Sequence, residues 1–264
     1  MHHLTVAMGT HLPKISPLIF VTGYPKSGTS WACQLVADYL QLPFPQFYLL
    51  PIAFRAVVHG HELPHPARKS FYLMRDGRDV VVSEYFHHWR ALPEGAPRGL
   101  DRRQRRLFPE LRDREDHRAN LPRFLQAQAR RPVAAPVPWG GHVLRSLDLE
   151  GEAMVVMRYE DLLTDAAALL AASCEALLGE EADLERASST VAKFTFEKQS
   201  GRKPGQTDTA SFLRQGRAGD WRNHFDRATA ELFHALHGEG LIRAGYEPDA
   251  SWVERCPEVL ESPA

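Results

Sequence analysis

The chain has 264 residues, 44% of them hydrophobic and 9% aromatic, which is enough apolar material for one large core and excludes a disordered chain or a disulfide scaffold. Its 32 Lys and Arg against 33 Asp and Glu leave a formal charge of −1, so the chain-wide basic field of a dedicated nucleic-acid binder is absent and any charge function must be local. The three cysteines, Cys33, Cys174 and Cys256, lie far apart without CxxC or CxxH spacing and read as free thiols of a reducing compartment. With no apolar run of about 18 residues and no apolar stretch of signal-peptide length at the start, the expectation is a cytoplasmic protein with no membrane partner.

In chain order, Leu18 to Val21 is a short apolar run ending at Thr22-Gly23, a buried strand entering a turn. Trp31, Leu35, Val36, Tyr39 and Leu40 then follow at helical spacing, with Thr29 or Ser30 expected to cap the first turn and Pro43 and Pro45 to stop the helix. The same grammar recurs at Phe71 to Met74, then Arg75-Asp76-Gly77-Arg78, then a helix from Asp79 to about Trp89. A third strand is expected at Met154 to Met157, followed by a polar turn and a helix over about 166–178 that Gly179 closes. Strands alternating with helices predict a single-domain α/β protein over 1–264, a parallel β-sheet flanked by helices on both faces.

Residues 90–131 differ in character: twelve arginines, six acidic residues and no lysine make them locally about +6. Their sparse apolar residues predict helical pieces lying on a core, so 91–131 read as an Arg-rich insertion or lid. Residues 132–138 (PVAAPVP) form an extended connector, and 247–264 an acidic, loosely held tail.

The motif that carries most chemistry is Gly23-Tyr24-Pro25-Lys26-Ser27-Gly28-Thr29-Ser30, a glycine loop between strand and helix whose amides form an anion nest. In the phosphate loop of ATPases a lysine follows the second glycine; here that position is Thr29 and the lysine is the earlier Lys26. The bland alternative is a glycine turn with a surface lysine.

YPKSGTSW, Tyr24 to Trp31, resembles the 5′-phosphosulfate loop of the cytosolic-type sulfotransferases. Two further segments agree in order: Arg75 with Ser83 in RDGRDVVVS, and Arg214 to Phe225 (RQGRAGDWRNHF) against RKGxxGDWKNxF. Smaller matches are YEDL at Tyr159, WxxHV at Trp139, and the stretch from Phe196 through Gly201 to Gly205. The resemblance spans about residues 18–225 and implies a P-loop (nucleoside triphosphate hydrolase-like) sulfotransferase architecture. It also implies 3′-phosphoadenosine 5′-phosphosulfate (PAPS) as co-substrate, 3′-phosphoadenosine 5′-phosphate (PAP) as product, no metal, and a small-molecule hydroxylated acceptor.

On that resemblance Lys26, Ser27, Gly28, Thr29 and Ser30 would hold the 5′-phosphosulfate, with Lys26 at the bridging oxygen where leaving-group charge develops. Arg75, Ser83 and Arg214, with Gln215 and Gly216, would take the 3′-phosphate, which suits the planar donor fork of arginine. Trp31 and Phe196 would sandwich the adenine and Tyr159 reach its edge. Core packing is the alternative for the aromatics, and a surface ion pair for Arg75.

A base near neutral pH is needed, and VVHGHELPH offers His59, His61 and His65. The family pattern is close to KTH, which makes His61 the general base and puts His59 where the family has a lysine, its charge present only when protonated. An HxH pair also places two imidazoles on one face of an extended segment, where a zinc ion could bind, but no third ligand stands at suitable spacing. Competing classes are a phosphoryl-transfer enzyme on a P-loop fold, which would lack its GK[ST] signature, and a nucleotide- or polyanion-binding protein using the +6 segment. Few aromatics there speak against nucleic acid. The family's dimer signature survives only as Arg222 and Glu231, so no homo-oligomer is assigned.

Overall fold

A computed structural model describes residues 2–12, 17–45, 55–89, 98–151, 153–179, 181–206, 208 and 215–260. In chain order its regular elements are α1 (His2–His11), β1 (Leu18–Gly23), α2 (Thr29–Tyr39), β2 (Ala56–Gly60), β3 (Ser70–Met74) and α3 (Gly77–His88), then α4 (Arg98–Leu107), α5 (His117–Arg130) and α6 (Trp139–Leu147). They continue with β4 (Met154–Arg158), α7 (Tyr159–Leu178), α8 (Leu184–Lys193), α9 (Phe196–Ser200) and α10 (Arg227–Arg243), with short 3₁₀ turns at Asp220–Asn223 and Ala250–Arg255. Backbone contacts divide the chain into two compact units: 1–75 with 145–201, and 76–144 with 202–264.

The first unit is built on a four-stranded sheet in the order β2-β1-β3-β4, every neighbouring pair parallel. The three strands expected from sequence are present, and Ala56–Gly60 adds the fourth. Because side chains alternate along a strand, β1 faces two ways. Ile19 and Val21 point into a core with Leu35 and Val36 of α2, Leu170 and Cys174 of α7 and Ala187 of α8. Leu18 and Phe20 pack with Ala56 and Val58, and Gly9 of α1 lies so near that a β-carbon on it would stand 2.9 Å from both Leu18 Cδ1 and Phe20 Cζ. The chain goes from β1 to β2 on one side and then to β3 on the other, so β1 sits where the strand order reverses. In open parallel sheets, ligands bind outside the carboxyl ends of the strands at such a point.

Two local expectations are corrected. Gly28, in the left-handed region at φ 92, is the N-cap of α2, with no side-chain cap from Thr29 or Ser30. The helix expected at 166–178 begins at Tyr159 and is kinked at Asp165 (φ −147, ψ 79), whose carboxylate accepts the Ala168 N–H at 3.0 Å and caps the second part.

In the second unit α3 is buried along nearly all its length, and a β-carbon at Gly77 would meet the Trp139 ring at 2.5 Å. Arg78 organises this unit. Its guanidinium donates to Asp76 and Glu247 and lies 3.9 Å from the centroid of Trp221 and 4.7 Å from that of Trp252. The Asp79 carboxylate accepts from the Gly219 N–H at 2.6 Å and the Trp221 N–H at 2.9 Å, fastening the GDW segment to α3. The C-terminal stretch is accordingly not a loose tail as far as Cys256: Glu247 and Trp252 are buried because they complete the Arg78 network. The Arg-rich segment forms α4 and α5, with Phe108, Leu111, Leu121, Phe124 and Leu125 buried; residues 90–97, including Leu92, lie outside the described residues.

Candidate active site

Both glycines of the loop are dictated by crowding. Gly23 ends β1 opposite Leu73, and a β-carbon there would stand 2.5 Å from the Leu73 carbonyl oxygen. A β-carbon at Gly28 would meet the Tyr159 ring at 2.8 Å. Between them the Ser27 N–H donates to the Tyr24 carbonyl at 3.1 Å, and Lys26 takes the left-handed conformation at φ 66, a backbone that costs a non-glycine residue roughly 1–2 kcal/mol. The strain is met by contacts from neighbouring strand ends, since Arg75 donates through Nη1 to the Lys26 carbonyl at 3.0 Å.

The loop opens into α2, whose first amides have no carbonyl one turn back to bond. Two buried hydroxyls stand beside them, Ser27 Oγ and Thr29 Oγ1, with no hydrogen-bond partner among the described residues. Buried polar atoms are normally satisfied, so donors left over at a helix N-terminus fit an anionic ligand. Lys26 belongs to the same loop.

His59, on β2, pairs in register with Val21 of β1, and His61 follows just beyond the end of β2. Their rings lie 4.7 Å apart, edge to face. His61 Nδ1 stands 2.7 Å from the Gly23 carbonyl oxygen. A carbonyl only accepts, so Nδ1 carries the proton and Nε2 the lone pair. Burial pushes the His61 pKa below the ordinary histidine value; the Gly23 carbonyl and Glu62 oppose the shift and the Lys26 charge adds to it. The imidazole is therefore neutral and basic at neutral pH. Among the described residues, no group of three or more His, Cys, Asp and Glu gathers for a metal ion.

Arg75 is not a surface residue: it is 8% exposed, and its guanidinium carbon lies 4.4 Å from the Tyr159 ring centroid. Tyr159 meets Trp31 edge-on at 6.1 Å. Phe196 is half-buried at the start of α9 in the same unit. Ser83 is buried on α3 in the second unit. Gln215 and Gly216 are in that unit too, where the Gln215 carbonyl accepts the Gly205 N–H at 2.8 Å and Gly216 has φ 64. Arg214 lies outside the described residues. Sequence reasoning missed the structural pair Arg78 and Asp79, although both stand inside the RDGRD motif it singled out.

A parallel α/β sheet in which an inner strand runs through a glycine loop into a helix defines a P-loop-like α/β fold. Residues 59–245 match the family model described as Sulfotransferase domain, and the chain belongs to that family. The guinea pig (Cavia porcellus) 3-beta-hydroxysteroid sulfotransferase is 29% identical over 93% of this chain and 90% of its own length. Rat (Rattus norvegicus) sulfotransferase 2B1 is 26% identical over 84% of this chain and 70% of its own length. Among solved structures, a retinol dehydratase in complex with retinol and PAP superposes with a TM-score of 0.62 at 19% identity, covering 90% of this chain and 86% of that one. A mouse sulfotransferase complexed with PAP gives 0.59 at 19% identity, covering 90% and 87%. The fold is thus the P-loop-like α/β fold of the sulfotransferases. Among the described residues no helix is long and apolar enough to cross a membrane.

Proposed function

We propose that the chain transfers a sulfuryl group from PAPS to a hydroxyl or amine of a small-molecule acceptor and releases PAP, with His61 as general base and Lys26 assisting the leaving group. The observation that carries this reading is the bond from His61 Nδ1–H to the carbonyl of Gly23. The loop that would cradle the anion thereby also aims the base, leaving its lone pair at Nε2.

PAPS would supply a sulfuryl group on a phosphate leaving group. As the acceptor oxygen bonds to sulfur, His61 takes the acceptor proton at Nε2. The bond between sulfur and the bridging oxygen breaks, and Lys26 balances the charge left on that phosphate oxygen. The loop amides with Ser27, Gly28, Thr29 and Ser30 would hold the 5′ group, and Arg75 the 3′-phosphate. Ser83, Arg214, Gln215 and Gly216 carry the same 3′-phosphate assignment from the motif match. Trp31, Tyr159 and Phe196 would take the adenine. His59 would add a second positive charge when protonated. A relative named for hydroxysteroids puts alcohols first among acceptors to test.

Titration with PAPS, PAP and ATP in the absence of magnesium, followed by a PAPS-dependent mass-spectrometric screen of hydroxylated compounds, tests the reading. PAPS and PAP are expected to bind more tightly than ATP, and one acceptor class to gain a single sulfo group. His61→Ala is expected to bind PAP normally and lose roughly 10²–10⁴-fold in turnover of alcohols, less for acidic phenols. A His61→Ala enzyme of full activity beside an inactive His59→Ala would exchange the two roles.

A further inference from the structure

The ends of three adjacent strands converge on Lys26. In the sheet register Met74 of β3 lies opposite Arg158 of β4, so the next residues, Arg75 and Tyr159, leave the sheet side by side. Gly23, at the end of β1, lies opposite Leu73 and opens the glycine loop. The Arg75 guanidinium lies over the Tyr159 ring and donates to the Lys26 carbonyl at 3.0 Å. Tyr159 presses on the other end of the loop, where its ring fills the space a β-carbon at Gly28 would take, and touches Trp31 edge-on. Lys26 itself sits in the left-handed region that favours glycine and persists there only if its surroundings hold it.

We infer that Arg75 and Tyr159 are positioning residues, a latch that sets the backbone at Lys26, and that a 3′-phosphate acting on Arg75 is thereby felt at the leaving-group lysine. The second half rests on the proposed assignment of Arg75 to the 3′-phosphate; the first half does not. One guanidinium then joins the recognition of the far end of the nucleotide to the chemistry at the near end. The 3′-phosphate becomes a requirement for turnover as well as for binding.

Two measurements test the two halves separately. Hydrogen exchange of the Ser27 and Trp31 amides, in nucleotide-free protein, reports opening of the loop, because their bonds to the Tyr24 and Gly28 carbonyls close it. Arg75→Met and Tyr159→Leu are expected to speed that exchange roughly tenfold, the scale of one lost hydrogen bond or ring contact, while Tyr159→Phe, which keeps the ring, leaves it slow. Unchanged exchange in both disruptive variants overturns the latch, whatever the donor is. The second measurement compares adenosine 5′-phosphosulfate, which lacks the 3′-phosphate, with PAPS. In the unaltered enzyme kcat is expected to be at least about tenfold lower with the shorter donor, and Arg75→Lys to reduce that kcat ratio towards one. A difference confined to KM overturns the coupling while leaving the latch to the exchange result. A chain that turns over neither donor overturns the proposed function, and with it the coupling, and the exchange result still decides the latch.

Discussion

Arg75 and Arg78 stand in one short motif on either side of the boundary between the two compact units, and their surroundings differ in kind. Arg75 donates to a backbone carbonyl and lies over a phenol ring, both neutral. Arg78 meets two carboxylates and is held between two indoles. The first arrangement fixes the shape of a loop; the second ties distant stretches of chain, Asp76 and Glu247, into one buried network. A motif conspicuous for its arginines therefore combines a residue that shapes the glycine loop with one that ties a buried network, and only their partners tell them apart.

The sharpest way to break that contrast is to remove each cation in turn. Arg78→Met takes from the buried Asp76 its guanidinium partner and leaves Glu247 with Arg255 alone, and is expected to cost about 3–5 kcal/mol of unfolding free energy. Arg75→Met is expected to cost less, about 1–2 kcal/mol for the hydrogen bond to the Lys26 carbonyl and the contact with the Tyr159 ring, while turnover collapses. Urea denaturation beside steady-state kinetics measures both, and equal losses of stability would erase the distinction.

A second test uses acid. His237 is buried against Trp139 and Phe233, and burial pushes its pKa down to about 4. In the unfolded chain it titrates near 6.5, so the folded state binds fewer protons between those values. Stability is expected to be undiminished above about pH 6.5 and to fall as pH drops towards 4, by on the order of 3 kcal/mol in total. His237→Gln should flatten that slope. A slope unchanged in the variant would assign the acid sensitivity to other groups.

The smallest expected effect belongs to the first unit. Glu62 raises the His61 pKa against the larger effect of burial, so Glu62→Gln lowers it further. The acid limb of kcat/KM for an alcohol acceptor should move to lower pH, with stability little changed. A limb that moves upward contradicts the placement of Glu62 beside the base.

The loop, three strands and the helix that follows each of them were legible because their signals are local: apolar runs, glycines and helical spacing within a few residues; α1, α6, α8, α9 and α10 were not read. The strand carrying His59 was harder to read, since its apolar run is short and polar residues follow directly. The N-cap of α2 was misassigned because Thr29 and Ser30 are the usual cap residues, whereas close approach of Tyr159 demands Gly28. Positions for Lys26 and His61 followed from motif register. What no motif could show was partnership at a distance: the carbonyl of Lys26 as the acceptor for Arg75, the carbonyl of Gly23 as the group that sets the His61 tautomer, and Glu247 completing Arg78. Hydrogen bonds to backbone leave no trace in residue identity. The acidic C-terminal stretch looked loose for the same reason, its two anchoring side chains being unremarkable until their partners are known.

The strand order also has a consequence for how the chain is made. β3 ends at Met74, and β4, which covers its outer edge, begins only at Met154. All of 76–144, the whole of the second unit's first stretch of chain, leaves the ribosome in between. Until then the nascent first unit presents a parallel edge whose amides and carbonyls await a partner, beside the apolar faces of Phe71 and Leu73. Completion of the sheet is a late event of synthesis, and any chain ending before residue 158 carries that open edge permanently.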